Sequence, residues 1–293
     1  MPGHSRWRTA GTAALFIAPS LVPMLAFTIG PMLASLGISF TNWSLLAPAH
    51  WVGANNYRTL WSDAEFRSSL GHTLVFIAGY LPLVLISGLA VALALNQRIR
   101  GLAVFRTIYF LPVVTSWVVV ALIWKWLLNP QTGVVDYVLG LVGIQGPGWW
   151  VDPHWAMPSI ILASAWKDIG FVMIILLAGL QSIPDDYYEA ASLDGAGRLA
   201  LFRHITLPLL SPALFFVVVI SLINNFQVFD QVWVMTQGGP AGSTSVVMER
   251  IVKNAFSFGR MGYASAMSWV LFAVILMITL AQFRLQRRWV NYE

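Results

Sequence analysis

From Ile183 to Pro212 the chain reads IPDDYYEAASLDGAGRLALFRHITLPLLSP. This stretch joins two apolar runs, at 157–181 and 206–229, each long enough for an α-helix to cross a hydrocarbon core about 30 Å thick. Residues Asp185 to Leu193 are helix formers, with Asp185 and Asp186 placed where carboxylates favour a helix N-terminus. Gly195 and Gly197 then stop that helix. Arg198 to Ile205 suits a second short helix, and Pro208 and Pro212 mark the beginning of the next run, where a missing N–H is tolerated. The expectation is a helix, a glycine turn and a second helix, with Leu199, Phe202 and Ile205 packing back on the membrane-embedded part. A loop that merely joined two spans would not need such order. The arrangement suits docking to a partner; the alternative is a pair of interfacial helices with no partner at all.

Working outward, four further apolar runs occupy 13–41, 70–96, 107–128 and 264–283. The whole chain of 293 residues is 58% hydrophobic and only 10% charged, with mean hydropathy +0.71. An ordinary soluble domain carries about 25% charged residues, so water is not the main solvent. These runs predict an all-α integral membrane protein of six transmembrane helices in a single domain spanning 1–293. The first run follows Arg6 and Arg8, is too long for a signal peptide and lacks a small-residue cleavage site, so it reads as a retained anchor. Pro19, Pro23 and Pro31 predict a kink in it. Gly88, Ala92 and Leu95, with Ala90 and Ala94, set small residues on the second run for close helix approach.

Basic residues resist translocation and collect on the cytoplasmic side. Arg6, Arg8, Arg98, Arg100, Arg106, Arg198, Arg203, Arg284, Arg287 and Arg288 fall on one side, in short segments. Arg58, Arg67, Arg250, Lys253 and Arg260 fall on the other, in longer loops. Ten against five predicts that both termini and the 182–205 loop are cytoplasmic. Trp43, Trp51, Trp61, Trp124, Trp126, Trp149, Trp150 and Trp155 gather at the ends of runs, as amphipathic rings do at the headgroup level. Lys125, between two tryptophans, reads as a snorkelling anchor.

Several functions are disfavoured directly. The chain has no cysteine, which removes disulfides and thiolate chemistry. His4, His50, His72, His154 and His204 are scattered and form no HExxH pair, so no metal site is expected. Lys125, Lys167 and Lys253 lack the glycine scaffold of a phosphate-binding loop, so no nucleotide cofactor is expected in this chain. A net charge of +5 and pI near 9.7 reflect basic residues beside apolar runs, the pattern of membrane topology and not of nucleic-acid binding.

The run Glu189, Ala190, Ala191, Asp194, Gly195, Ala196, Phe202, Ile205, Pro208 and Pro212, at its particular spacing, resembles the EAA signature of binding-protein-dependent ABC importer permeases with a MetI-like transmembrane fold. The likeness extends to NWSLL after the first run, FRTIYFLPVVTSWVVVALIWKWLLNP at the third, WKDIGFVMIILLAGLQSIP at the fourth and FDQVWVMTQGGPAGST after the fifth. Together these are similar to the carbohydrate branch of MalF-type and glycerol-phosphate-type permeases, without the large external insertion of the maltose permease. The resemblance implies a second, homologous permease, two ATPase subunits that bind ATP and Mg, an extracytoplasmic solute-binding protein, and residence in the bacterial cytoplasmic membrane. It also implies that loop 182–205 is the ATPase-coupling element, with Glu189, Ala190, Ala191, Asp194, Gly195, Ala196, Arg198, Phe202 and Ile205 as its contact residues. Gly238, Gly239 and Pro240 resemble the family's external turn near the binding protein, or simply terminate a helix.

Polar residues inside a bilayer are costly and usually face a cavity or a neighbouring helix. Lys167 and Asp168 stand out in the fourth run; lying about 100° apart on a helix, at most one is expected to face a pathway directly. Asn224, Asn225, Gln227 and Asp230, interleaved with Phe226 and Phe229, approach the external end of the fifth. Amides and carboxylates suit a hydroxyl-rich solute, and aromatic faces suit the apolar side of a sugar ring. Lys167, Asp168, Asn224, Asn225, Gln227, Phe229 and Asp230 are therefore candidate pathway residues, although the same groups would serve as bonds between helices. Glu189 and Asp194 also admit a reading as a catalytic carboxylate pair, but no nucleophile or pocket accompanies them, and no catalytic residue is expected. The rival functions are an ion-coupled secondary transporter, for which Asp168 alone is thin support, and a membrane-embedded enzyme.

Overall fold

Inside hydrocarbon no water is available to backbone N–H and C=O groups, so a spanning chain must satisfy them internally. The computed structural model of the chain describes residues 3–97, 101–286 and 290; among the arginines used for orientation, Arg98, Arg100, Arg287 and Arg288 lie outside the described residues, as do the side chains of Arg6 and Arg8. The described residues form α1 (Gly3–Met24), α2 (Gly30–Ile38), α3 (Asn55–Ser62), α4 (Ala64–Leu95), α5 (Leu102–Val114), α6 (Trp117–Leu127) and α7 (Val134–Leu141). There follow α8 (Pro153–Gln181), α9 (Asp185–Leu193), α10 (Arg198–Leu201), α11 (Leu207–Leu209), α12 (Ser211–Phe226), α13 (Asp230–Met235), α14 (Val247–Val252) and α15 (Met261–Gln286). Among the described residues there is no strand, only an isolated bridge between Thr41 and Trp51.

Among the described residues, four helices are long and apolar enough to cross a membrane: Leu15–Ile38, Ala64–Leu95, Pro153–Gln181 and Met261–Gln286. Two bent pairs bring the number to as many as six, if each pair is one span. The third run, expected as one helix over 107–128, is α5 and α6 bent by 100°. Pro112 has no N–H to give the preceding turn, and the chain extends at Thr115 before Ser116 opens α6. The fifth, expected over 206–229, is Arg198–Leu209 bent by 61° against Ser211–Phe226. Its helix stops at Phe226, with Gln227 as C-cap, and restarts at Asp230.

Proline also explains two π turns. Pro31 removes a donor, and the Gly30 N–H bonds to Leu25 instead; Pro208 does the same, and the Leu207 N–H bonds to Phe202. The second short helix expected over Arg198–Ile205 is therefore not separate. It runs as α10, a π turn at Phe202–Thr206 and α11 towards α12.

The chain groups into two compact units. Unit 1 comprises 1–63 and 251–270. Within it Phe40 stacks on Trp51 with centroids 5.4 Å apart, Tyr57 bonds Ser39 at 2.7 Å, and Asn56 donates to the carbonyls of Ser39 and Thr41. Trp269 donates to Ser35 Oγ at 3.2 Å.

Unit 2 comprises 64–250 and 271–293. Its main packing is α4 against α8, where Phe76, Val84, Ala92, Val172, Met173 and Leu176 are fully buried. Between helices in lipid the hydrophobic effect gives little, and close van der Waals approach does most of the work. Gly88 shows how: a Cβ there would lie 2.5 Å from Val172 Cγ1, so the small residue is what lets α4 meet α8. Gly170 is tighter still, since a Cβ would fall inside the backbone carbonyl of Tyr109 on α5. Asp152 caps α8 by accepting from the His154 N–H at 2.7 Å, which holds its carboxyl below the ordinary carboxylate range.

Candidate functional site: a capped knob and a polar cavity

The loop between α8 and α12 begins with Ile183, which is buried, and Pro184, which starts α9 with Asp185 and Asp186 in its first turn. Helix α9 ends in a Schellman cap. Gly195, at φ 81°, donates to Ser192 O at 3.1 Å, and Ala196 donates to Ala191 O at 3.0 Å. Glu189, Ala190, Asp194, Gly195 and Arg198 are exposed, while Ala191, Ala196, Phe202 and Ile205 are half-buried. Tyr188 OH bonds Thr206 Oγ1 at 3.1 Å and ties α9 to the helix leading into α12. Phe202 and Ile205 are thus partly covered as expected, but Leu199 is not. It is 78% exposed, and Leu193 at the end of α9 is 90% exposed. The turn at Gly195 and Gly197 sends the second helix off so that Leu199 points away from its neighbours. The knob presents a mixed surface of Glu189, Asp194 and Arg198 beside bare Leu193 and Leu199.

The second feature is a cavity of about 320 Å³ in unit 2, lined from α4, the α5–α6 break, α8, and the α12–α13 break. Interrupted helices expose backbone groups and polar side chains within the membrane, which is tolerated where they line a cavity. All seven candidate pathway residues, Lys167, Asp168, Asn224, Asn225, Gln227, Phe229 and Asp230, line it. Lys167 and Asp168, of which at most one is expected to face a pathway directly, both line this cavity. Their side chains diverge by about 100°, yet each finds an anchor on a different wall. Lys167 Nζ donates to Val113 O at 2.9 Å and lies 4.8 Å from the Trp117 ring centroid. That carbonyl belongs to the end of α5, where the bend has removed the amide four residues on, so the ammonium serves as a helix C-cap. Asp168 Oδ2 accepts from Tyr80 OH at 2.8 Å.

The fifth run contributes differently. Asn225 is buried and donates to Ser221 O at 2.6 Å, a bond within its own helix. Asn224, Gln227 and Asp230 are exposed to the opening. Phe229 stacks on Trp233 with centroids 5.4 Å apart and offers one aromatic face. Sequence reasoning missed Tyr80, Trp117, Ser221 and Gln231 as cavity residues. Tyr80 carried a signal, a hydroxyl in the middle of a long apolar helix; Trp117 did not, because the α5–α6 bend decides which way it points.

Lys125 is also not a free snorkelling side chain. It donates to Val234 O at 3.2 Å and lies 4.9 Å from the Trp150 centroid, joining α6 to α13. Gly238, with φ 84°, and Gly239 follow the end of α13, and the turn is closed by Thr244, which donates to Gly239 O at 2.6 Å and bonds Thr236 at 2.7 Å. The helix itself ends before these glycines, at Thr236 and at Gln237, which has φ 53° and donates to Val232 O at 2.9 Å.

Comparison with known proteins agrees with this geometry. Residues 84–291 match the family described as the binding-protein-dependent transport system inner membrane component. The trehalose/maltose transport system permease protein MalF of Thermococcus litoralis is 34% identical over 283 residues, covering 96% of each chain. Among solved structures, a bacterial ABC transporter involved in the import of the acidic polysaccharide alginate superposes with TM-score 0.85 at 27% identity, covering 98% of this chain and all of that one. A bacterial alginate ABC transporter in complex with an alginate pentasaccharide-bound periplasmic protein gives TM-score 0.83 at 26% identity, over 97% and 96% of the two chains. With nearly the full length shared, this chain belongs to the MetI-like family of inner-membrane permease components of binding-protein-dependent ABC transport systems.

Proposed function

We propose that this chain is one of two permease subunits of an ATP-driven importer for a sugar or sugar-like solute. In this reading the chain is a single permease domain over 1–293 and crosses the membrane six times, each bent pair counting once, with both termini in the cytoplasm. The basic residues favour that orientation. A second, homologous permease completes the pathway. Two ATPase subunits below supply the energy and hold ATP and Mg, and an external binding protein delivers the solute. The relatives named for sugar or alginate transport support the cargo class, and the alginate complex supports the binding-protein partner. The chain itself performs no catalysis.

The observation that carries the proposal is the link between the two features of the site. The knob, with Glu189, Ala190, Ala191, Asp194, Gly195, Ala196, Arg198, Phe202 and Ile205, joins α8 to α12. Those two helices bring Lys167, Asp168, Asn224 and Asn225 to the cavity. Movement of an ATPase groove gripping the knob would therefore act on two of its walls. Two carboxylates, amides and aromatic rings give that cavity the donors, acceptors and flat apolar faces that a hydroxyl-rich ring uses.

Copurification with an ATPase subunit, followed by solute uptake into proteoliposomes loaded with ATP, tests the whole reading. Uptake by the isolated polypeptide, driven by an ion gradient without ATPase, would overturn it in favour of a secondary transporter. Gln227→Leu tests the cavity: it removes an exposed amide from the lining and is expected to raise the half-saturating solute concentration or shift solute preference. Unaltered uptake and specificity would take Gln227 out of the pathway.

A further inference from the structure

Helix α7 is turned inside out for a protein in water. Its exposed face is Val134, Tyr137, Val138 and Leu141, spaced three and four apart within one arc of about 100°, and Tyr137 and Leu141 are each 70% exposed. Val142 and Ile144, just beyond its end, are exposed as well. The half-buried face holds Asp136, whose Oδ2 accepts from Trp149 Nε1 at 2.7 Å. Asp136 is the one charged residue from Trp126 to Val151. The only charge of the segment is thus directed inward, and an uncharged apolar stripe faces out.

The position of α7 says what covers that stripe. The helix lies between the end of α6 at Leu127 and the start of α8 at Pro153, the ends of two candidate membrane spans. It is pinned there, because Trp149 packs edge-on against Trp155 on α8 with centroids 6.0 Å apart, and Trp150 Nε1 donates to Lys125 O on α6 at 3.2 Å. Trp126 and Trp155 expose their rings at the same two helix ends, as amphipathic aromatics do at the headgroup level. An uncharged, aliphatic stripe carrying one tyrosine, held at that depth, matches the apolar face of a helix lying in the plane of the interface. The stripe itself carries no charge and a single hydroxyl, and the exposed polar residues Gln131, Thr132 and Gln145 lie beyond the helix ends and not along it.

We propose that α7 is an interfacial helix whose Val134, Tyr137, Val138 and Leu141 stripe is immersed in the lipid leaflet where α6 and α8 end. It thereby anchors the α6–α8 connection, and with it the cavity-facing bend at Trp117, to the bilayer. The inference rests on α6 and α8 reaching the membrane boundary and not on which side that boundary faces.

The absence of native cysteine in the chain permits a direct test. Tyr137→Cys and Leu141→Cys, each labelled with bimane in the assembled importer, are reconstituted in phosphatidylcholine vesicles with and without brominated phosphatidylcholine. The wild-type chain in the same complex gives the labelling background. Leu122→Cys, on the exposed apolar side of α6, and Gln131→Cys, in the exposed polar loop, are the controls. Bimane at 137 and 141 is expected to be quenched by bromolipid to an extent similar to that at 122, and to be shielded from aqueous iodide, with the reverse at 131. Iodide quenching at 137 and 141 as strong as at 131 would refute immersion. Protection from both quenchers would also refute it and would seat a protein, such as the second permease, on the stripe. Loss of bromolipid quenching at 122 itself would instead overturn the assignment of α6 to the membrane.

Discussion

Replacing Gly195 with valine isolates what the proposed coupling knob owes to one backbone conformation. At φ 81° the residue is in the left-handed region, and a Cβ built there meets nothing within 4 Å, so the substitution introduces strain without collision inside this chain. An L-residue in that region costs roughly 1–2 kcal/mol, and a β-branched one stands at the upper end. Relief comes by opening the cap, which gives up the bonds from Gly195 to Ser192 and from Ala196 to Ala191. Helix α9 has nine residues, fewer than the roughly 12–15 at which an isolated helix becomes even marginally stable in water, so it has little reserve against fraying. A change of this size shifts the capped-to-open ratio by a factor of roughly 5–30. The expected result is an uptake rate reduced by up to that factor, with the complex still assembled and its thermal midpoint unchanged, because Gly195 is exposed. The assay is the initial rate of ATP-dependent uptake in proteoliposomes beside ATPase activity in the same preparation. Asn, which tolerates the left-handed region better than other side chains, should retain more uptake than Ala, and Ala more than Val. Wild-type uptake by Gly195→Val would refute the cap as the functional feature. Equal defects for Asn and Val would show that the partner, not the backbone, excludes any side chain at this point.

Other substitutions address packing and the cavity. Gly170→Ala puts a methyl group into the Tyr109 carbonyl and is expected to abolish assembly, whereas Gly140→Ala meets nothing within 4 Å and should be neutral or stabilise α7 by about 0.5–1 kcal/mol; yield of the complex and its melting midpoint separate the two. Tyr80→Phe leaves Asp168 without its phenolic donor and should cost about 1–3 kcal/mol, read as a lower melting midpoint together with altered solute half-saturation. An unchanged midpoint would mean that Asp168 finds another donor. Gly179→Leu forces side-chain atoms into Leu210 and Ala213, since even a Cβ would lie 2.8 and 2.9 Å from them. Overpacking of this kind costs about 1–3 kcal/mol, and the variant should assemble while transporting poorly; normal transport would remove this contact from the coupling route.

How much of this was legible beforehand differs from element to element. Helix α9 was readable to the residue, because its start and stop depend on local chemistry: Pro184 and two aspartates at one end, Gly195 at the other. The grouping of polar residues on α8 and α12 was legible because ionisable and amide side chains in an apolar run have few places to go. The bends were not, although Pro112 and Pro208 stood in view. A proline in a membrane helix can be absorbed by a π turn, as at Pro31, combine a π turn with a bend, as at Pro208, or accompany a full break, as at Pro112, and the surrounding packing decides which. That same uncertainty hid the joint exposure of Lys167 and Asp168 to the cavity, because the Val113 carbonyl that holds Lys167 is freed only by the break. Leu199 failed for a related reason: periodicity shows that apolar residues share a face, but not whether that face meets this chain or another.

The knob and the cavity are related by lever lengths as well as by connectivity. Asp168 is eleven residues from Gly179 along α8, and Asn224 is eleven residues from Ala213 along α12, and both intervals are unbroken helix. At 1.5 Å per residue each arm is about 16 Å long. In the proposed coupling, the contact of Gly179 with Leu210 and Ala213 would act as a fulcrum at the knob end, with the cavity at equal distance along both arms. A change of about 10° in the angle between α8 and α12 there would displace Asp168 from Asn224 by about 3 Å, which is the length of a hydrogen bond. A small tilt driven through the knob would therefore be enough, on that proposal, to exchange a cavity that bridges a solute's hydroxyls for one that does not. The tight fit at Gly179 is what would make the helices tilt about a point and not simply separate, since a loose contact would dissipate the motion before it reached the cavity.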